Sequence, residues 1–305
     1  MPKVSVIIPV FNVKPYLEQC LNSLLSQTLT DLEYIIVDDG SFDGSSVVCD
    51  RFAKTDGRIQ VIHKKNEGLS CARNDGIKVS TAPYIMFVDG DDWVEPEFCR
   101  LPYNMAVDNG ADLVLFSFKK VRNNGRVVRV KTRKQSGFIS EAEAIDLNMR
   151  GLNAAWLGLY HKDLFNNVKF PAGKVYEDIC TSHRFIHEAN RICFINQALY
   201  NHRVGRIGSI KSDLKNDKEK REMVIKKIDN LRNWGYYEYS QIYAFRLLLK
   251  YGWKDRSQKP FVDMANEKGY ARYLFSIKQK LMLAVYRISP SFFDIICVSM
   301  GRRVK

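Results

Sequence analysis

Two acidic clusters carry the first chemical signal in the chain. Residues 37–45 run Val-Asp-Asp-Gly-Ser-Phe-Asp-Gly-Ser, and residues 88–93 run Val-Asp-Gly-Asp-Asp-Trp. In the second cluster Asp89, Asp91 and Asp92 crowd three carboxylates into four positions. At ~6 Å and an effective dielectric of ~20, each ionised pair repels by roughly 3 kcal/mol. A divalent cation offsets that repulsion. All-oxygen ligands select a hard ion, Mg²⁺ or Mn²⁺, of the kind that bridges to phosphate groups. Acidic residues after strands also cap helices and open turns, and Asp43 and Asp92 fit that plainer role.

Between the clusters lies Asn66-Glu67-Gly68-Leu69-Ser70-Cys71-Ala72-Arg73-Asn74-Asp75-Gly76. Gly68 permits a tight entry into a helix whose first N–H groups can face an anion, and Arg73, one turn in, can aim a guanidinium at a phosphate or nucleotide. Arg73 equally fits the solvent face of an amphipathic helix with Leu69, Ala72 and Ile77 inward. Other chemistries lack their marks: the chain has no GxxxxGK[ST] phosphate loop, no HExxH and no GxSxG elbow. The pair His183 and His187, one helical turn apart, reads as a helix face rather than a metal site.

These clusters need a scaffold, and the hydropathy pattern supplies one. Residues 4–10 form an apolar β-branched run, followed by Leu17, Cys20, Leu21, Leu24 and Leu25 at helical spacing. Strands at 34–37, 59–62 and 84–88 alternate with helices at about 45–54 and 69–79, giving β-α-β-α-β-α-β. Continuous apolar runs such as Tyr34-Ile35-Ile36-Val37 suit strands covered on both faces, hence a mostly parallel sheet flanked by helices. Ligands of such sheets bind beyond the carboxyl ends of the strands, which is where both acidic clusters fall. Further on, a helix at about 96–108 leads to a strand at 112–117, and Asn123-Asn124-Gly125 reads as a hairpin turn. Ser140 and Glu143 form a capping-box pattern opening a helix to about residue 150. From about residue 214 the pattern is helical only, broken at Pro260 and Pro290.

The 305 residues, 46% hydrophobic, exclude disorder and small disulfide scaffolds. Seven scattered cysteines without a CxxC pair suit a reducing cytosol. No run approaches the ~18 apolar residues of a membrane span, and the short N-terminal run, broken by Pro9 and Asn12, does not read as a secretory signal. The net charge of +13 is polarised: residues 1–200 hold 24 basic and 24 acidic residues, and residues 201–305 hold 23 and 10. A basic C-terminal region implies an anionic partner.

In order along the chain, 3–12 (Lys-Val-Ser-Val-Ile-Ile-Pro-Val-Phe-Asn), Leu21 to Gln27-Thr28, Val37-Asp38-Asp39-Gly40-Ser41, Asn66-Glu67-Gly68 to Arg73-Asn74, and Asp89-Gly90-Asp91-Asp92 resemble a family 2 glycosyltransferase. Five motifs over about 90 residues make the resemblance specific. It implies a GT-A (Rossmann-like) α/β fold binding a UDP-sugar donor and Mn²⁺ or Mg²⁺. Pro9, Phe11 and Asn12 would border the uracil, Asp39 would accept from the base N3–H, and Asp89 would hold the ribose. Asp91 would ligate the metal, and Arg73 would stabilise the nucleotide pocket. Asp38 and Asp92 would be supporting residues.

The second half resembles the acceptor side of the same family through Trp156 to Lys162, Phe165, Phe170 and Tyr176-Glu177-Asp178. Inverting transfer needs a carboxylate to take the acceptor hydroxyl's proton. Asp178 is the expected base, with Glu177 the alternative, although an acidic pair opening a helix is also ordinary dipole complementarity. In the segment 199–210, Arg203 and Arg206 would neutralise the leaving diphosphate. His202 would add a metal ligand, in a place where the family often has an aromatic residue. A plain basic loop is the competing reading.

The expected organisation is a catalytic domain at 1–213, with a nucleotide-sugar half at 1–116 and an acceptor half at 117–213, then a basic helical region at 214–305. Within 270–305, apolar runs flanked by cations suit interfacial helices on an anionic leaflet, with packing on a second subunit as the alternative. Nucleic acid is not expected, since no binding motif accompanies the cations. The resemblance thus implies sugar transfer to a glycan or lipid-linked acceptor in bacterial surface-polysaccharide synthesis, at the cytoplasmic face of the membrane. A nucleotide-sugar binding protein without turnover and a nucleotidyltransferase are the rivals.

Overall fold

A computed structural model of the chain describes residues 1–122, 126–129, 135–174, 176–205, 217–237 and 239–240. It divides into two units, Met1–Asn216 and Asp217–Lys305. The first unit opens with β1 (Val4–Val10), α1 (Lys14–Leu25), β2 (Leu32–Asp38), α2 (Ser45–Thr55), β3 (Ile59–His63), α3 (Leu69–Val79), β4 (Tyr84–Phe87), the two-residue β5 (Trp93–Val94) and α4 (Arg100–Asn109). It continues with β6 (Leu113–Arg122), β7 (Val127–Arg129), β8 (Gly137–Ile139), α5 (Glu141–Met149), β9 (Gly158–His161), α6 (Leu164–Asn167), α7 (Glu177–Glu188) and the long β10 (Ile192–Val204).

The main sheet runs β3-β2-β1-β4-β9-β6-β10-β5. β1 to β4 pair in parallel, as do β6 and β10, while β9 is antiparallel to both β4 and β6. Six strands therefore point one way, and their carboxyl ends open on one edge. The continuous apolar runs explain the parallel block: every residue of β1 is buried, and β2 is buried at all but one position. The reversed β9, preceded by a 3₁₀ turn at Ala155–Leu157, makes the sheet mixed.

Local chemistry fixes the turns along that edge. Gly40 has φ +76°, and a Cβ there would lie 2.9 Å from the Asn66 nitrogen, so the β2–α2 turn can press against the β3–α3 segment only as glycine. Ser140 and Glu143 form the expected capping box at the start of α5. An aromatic cluster of Phe87, Tyr160, Phe165, Phe170 and Phe185 ties β4 and β9 to α7 with ring centroids 4.9 to 6.0 Å apart. The expected turn at Asn123-Asn124-Gly125 lies outside the described residues, flanked by the antiparallel β6–β7 pair.

In the second unit, α8 (Asp217–Asn233) buries Met223, Lys227, Ile228 and Leu231. Pro260, Pro290 and the whole of 270–305 lie outside the described residues. Among the described residues no helix is long and apolar enough to cross a membrane.

Candidate active site

The ends of β1 and β2 are stitched into one turn. Asp39 N–H donates to Val10 O at 2.9 Å, Asn12 N–H to Ser41 Oγ at 3.1 Å, and Phe42 N–H to Asn12 Oδ1 at 3.0 Å. Asn12 adopts φ 51°, a left-handed conformation that asparagine tolerates better than most residues. Phe11 and Phe42 stand edge to face at 6.1 Å, both exposed beside the turn. Pro9 adjoins the second acidic cluster: a Cβ on Gly90 would lie 3.3 Å from the Pro9 carbonyl.

The two neighbouring aspartates of the first cluster do different work. Asp38 accepts from Ser41 N–H (3.1 Å), Ser46 Oγ (2.6 Å) and His63 Nδ1 (2.9 Å). Burial opposes its charge, but those donors outweigh it and hold its pKa below the usual carboxylate value. Asp39 is buried, and its oxygens accept the N–H groups of Glu67 and Gly68 at 2.9 and 2.8 Å. The carboxylate expected at the base thus also pins the entry to α3.

The second cluster follows β4. Asp89 accepts from Arg73 Nη2 at 2.9 Å, and its N–H donates to the Tyr200 hydroxyl at 3.1 Å. Asp92 is buried and accepts from Tyr200 OH (2.8 Å), His202 Nδ1 (3.2 Å) and Arg203 N–H (2.7 Å). Burial pushes its pKa up to about 6; His202 works against the rise, and Asp91 and Asp89 add to it. Asp91 is half-buried at the same turn, and its carbonyl accepts from Arg203 Nε at 2.9 Å.

The residues of 199–204 belong to β10, not to a loop. His202 and Tyr200 both stack on Trp156, at 5.4 and 4.0 Å. Arg203 lies over the rings of Tyr16 and Trp93 and donates to Gln19 Oε1 at 2.6 Å. Arg206 lies outside the described residues.

Arg73 is neither a surface residue nor directed into an open pocket. Its side chain is 2% exposed, with Nη2 on Asp89 and Nη1 on Glu177. Glu177 and Asp178 form the first turn of α7. Glu177 is buried in its ion pair, while Asp178 is half-buried beside it. One guanidinium therefore joins Asp89 of the second acidic cluster to Glu177 at the start of α7.

The donor set bears on a metal. Among the described residues no three His, Cys, Asp or Glu side chains converge as a protein cage. Asp89 is engaged by Arg73, and Asp92 by Tyr200, His202 and the Arg203 N–H.

Reading the sequence alone misses Tyr200, Trp156 as its stacking partner, and the Ser46–Asp38–His63 network. Tyr200 carries no spacing signal, since its partners lie 108 and 111 positions away.

Residues 5–169 match the model of glycosyl transferase family 2. The chain is 30% identical over 303 residues to glycosyltransferase GlyA of Streptococcus pneumoniae serotype 4, covering 95% of this chain and 42% of GlyA. It is 36% identical over 211 residues to the uncharacterized glycosyltransferase EpsJ of Bacillus subtilis, covering 67% of this chain and 61% of EpsJ. It thus spans less than two thirds of either relative. In fold it is similar to S. aureus TarS 1–349 in complex with UDP-GlcNAc, with TM-score 0.74, 18% identity, and coverage of 99% of this chain and 93% of that one. The strand-end clusters, the sheet that presents them and these matches lead to one assignment: the chain belongs to glycosyl transferase family 2.

Proposed function

We propose that the protein transfers a sugar from a UDP-sugar to a hydroxyl of a glycan or lipid-linked acceptor, with inversion. The observation that carries this reading is the Arg73 bridge, which sets Asp89 of the donor cluster and the Glu177-Asp178 pair on either side of one side chain. The similarity in fold to a TarS complex with UDP-GlcNAc supports the donor class.

Pro9, Phe11, Asn12 and Asp39 border the base, Asp89 faces the ribose, and Arg206 adds charge toward the diphosphate. Asp91 would hold Mn²⁺ or Mg²⁺ together with diphosphate oxygens, and such an ion supplies charge stabilisation to the departing UDP. Asp178 takes the acceptor hydroxyl's proton as the oxygen bonds to the anomeric carbon. The carbon–oxygen bond to the diphosphate breaks, and its electron pair leaves with UDP. Glu177 is poorly placed for that role because its carboxylate is buried against Arg73.

The excess of 23 basic over 10 acidic residues in 201–305 supports peripheral binding to an anionic membrane face, where a lipid-linked acceptor of a surface polysaccharide would reside. Cosedimentation with anionic vesicles at low and high salt tests this. Binding unaltered by truncation after residue 269 excludes 270–305 as its source.

The reaction is tested by calorimetric titration of UDP with Mn²⁺, with excess chelator, and with Asp91→Ala. UDP release from UDP-GlcNAc, UDP-glucose and UDP-galactose is then followed in the wild type and Asp178→Asn. Metal-dependent UDP binding, with turnover lost and affinity kept in Asp178→Asn, is the expected result. Binding without turnover points to a nucleotide-sugar binding protein, and pyrophosphate released from UTP and a sugar phosphate points to a nucleotidyltransferase.

A further inference from the structure

We propose that Arg73 and Glu177 together are positioning residues that fasten the first turn of α7, and with it Asp178, to the carboxyl end of β4. The inference rests on the reading of Asp178 as the base.

Arg73 reaches two carboxylates from separate segments, one through each Nη, and its guanidinium lies 5.3 Å from the Phe170 ring centroid and 5.9 Å from that of Phe87. Burial works against the charge, yet Asp89, Glu177 and Asp178 outweigh it and raise its pKa, so the cation persists. A planar fork can join two carboxylates where the point charge of lysine cannot. Its Nε is buried without a hydrogen-bond partner, so the guanidinium is committed through its two Nη atoms.

The neighbours of Arg73 on α3 reinforce the grip. Asn74 Nδ2 donates to Phe170 O at 2.9 Å, while Asn74 Oδ1 accepts Phe170 N–H at 3.2 Å. Ser70 Oγ donates to Lys174 O at 3.5 Å. Residues 70, 73 and 74 share one helical face, so α3 holds Phe170 and Lys174 as well as Glu177. The N-terminal end of α3 is itself fixed by the Asp39 carboxylate. Tyr176, immediately before α7, has φ 60°, a conformation that a bulky L-residue holds only when its surroundings impose it.

A purely structural ion pair would affect folding without singling out the chemical step. Glu177→Gln keeps shape and removes charge, and Glu177 is linked to Asp89 of the second acidic cluster through Arg73. The experiment compares kcat, donor KM and UDP affinity in wild type, Glu177→Gln, Glu177→Asp, Arg73→Lys and Asp178→Asn, using whichever of the three UDP-sugars turns over. The expected result is a kcat lower by roughly 10²-fold in Glu177→Gln, as for a base displaced by about 1 Å, with donor KM and UDP affinity within about twofold. Glu177→Asp should show the same split with a smaller loss, and it carries the test if Glu177→Gln does not fold. Arg73→Lys should lose kcat as well. Wild-type kcat in Glu177→Gln alongside an inactive Asp178→Asn overturns the inference and leaves the base assignment standing. Wild-type kcat in Asp178→Asn overturns both.

Discussion

Tyr200→Phe removes one oxygen from the wall behind the second acidic cluster, and its cost should depend on pH. The hydroxyl is buried, donates to Asp92 Oδ2 at 2.8 Å and accepts Asp89 N–H at 3.1 Å. Loss of a hydrogen bond to an ionised acceptor costs ~1.5–3 kcal/mol, and leaving the Asp89 amide unpaired costs about 1 kcal/mol more. The first cost applies only when Asp92 is ionised. Its pKa is already raised from 3.8 to about 6, above its unfolded value, so stability falls as pH climbs through that interval. Phenylalanine raises it further and extends the fall to higher pH. At pH 5 the variant should therefore lose about 1 kcal/mol, and at pH 8 about 2.5–4 kcal/mol, read from urea midpoints. The ring stack on Trp156 is retained, so packing contributes little to the difference. Equal losses at the two pH values would refute the assignment of this hydroxyl to the Asp92 carboxylate.

Asp39→Asn replaces one acceptor oxygen by an N–H₂ donor and orphans one of the two amides at Glu67 and Gly68; UDP affinity should weaken about tenfold by calorimetry, and unchanged affinity would separate this loop from the nucleotide. His63 bridges Asp50 and Asp38, which raise its pKa, so its stabilisation is present below its ordinary value of 6.5 and is lost as pH rises through the raised one. His63→Leu should flatten that part of the stability profile, and the wild-type imidazole resonances should titrate above pH 6.5 by NMR. Gly76→Ala would set a Cβ 2.4 Å from Ile7 Cγ2, where α3 crosses β1, and should cost about 1–3 kcal/mol in thermal unfolding; an unshifted transition would contradict the packing.

The first half of the sheet was legible because its signals are local. The buried parallel strands carry apolar runs such as Tyr34–Val37 and Tyr84–Phe87, and each acidic cluster closely follows one, so position in sequence implied position on the sheet edge. Helix α3 was read with its observed ends, and Gly68 at its entrance has φ +92°. The later strands were less legible because their order comes from pairing across distance. Nothing in Gly158–His161 announces a strand reversed between β4 and β6. Nothing in the segment 199–210, read by resemblance as a stretch over the diphosphate with a basic loop as the rival, announces that β10 carries 199–204 along β6, with shifts of register after Ile195 and Ala198. Arg73 was the hardest residue to place, since its sequence neighbours fit a surface helix and its burial depends on Glu177, 104 positions away.

That separation has a consequence for how the protein acquires its structure. The pairings of β2 with β1 and with β3 span 28 and 25 positions, whereas Arg73 to Glu177 and Asp92 to His202 span 104 and 110. Distant closures come late and slow folding, so the reactive edge should be among the last parts of the first unit to consolidate. The family-matched stretch, 5–169, stops short of Glu177, Tyr200 and His202. Cut out on its own, it would leave a buried arginine missing one of its carboxylates and a buried aspartate missing all three of its donors. The stretch that carries the recognisable pattern is shorter than the stretch that must fold cooperatively to make it work.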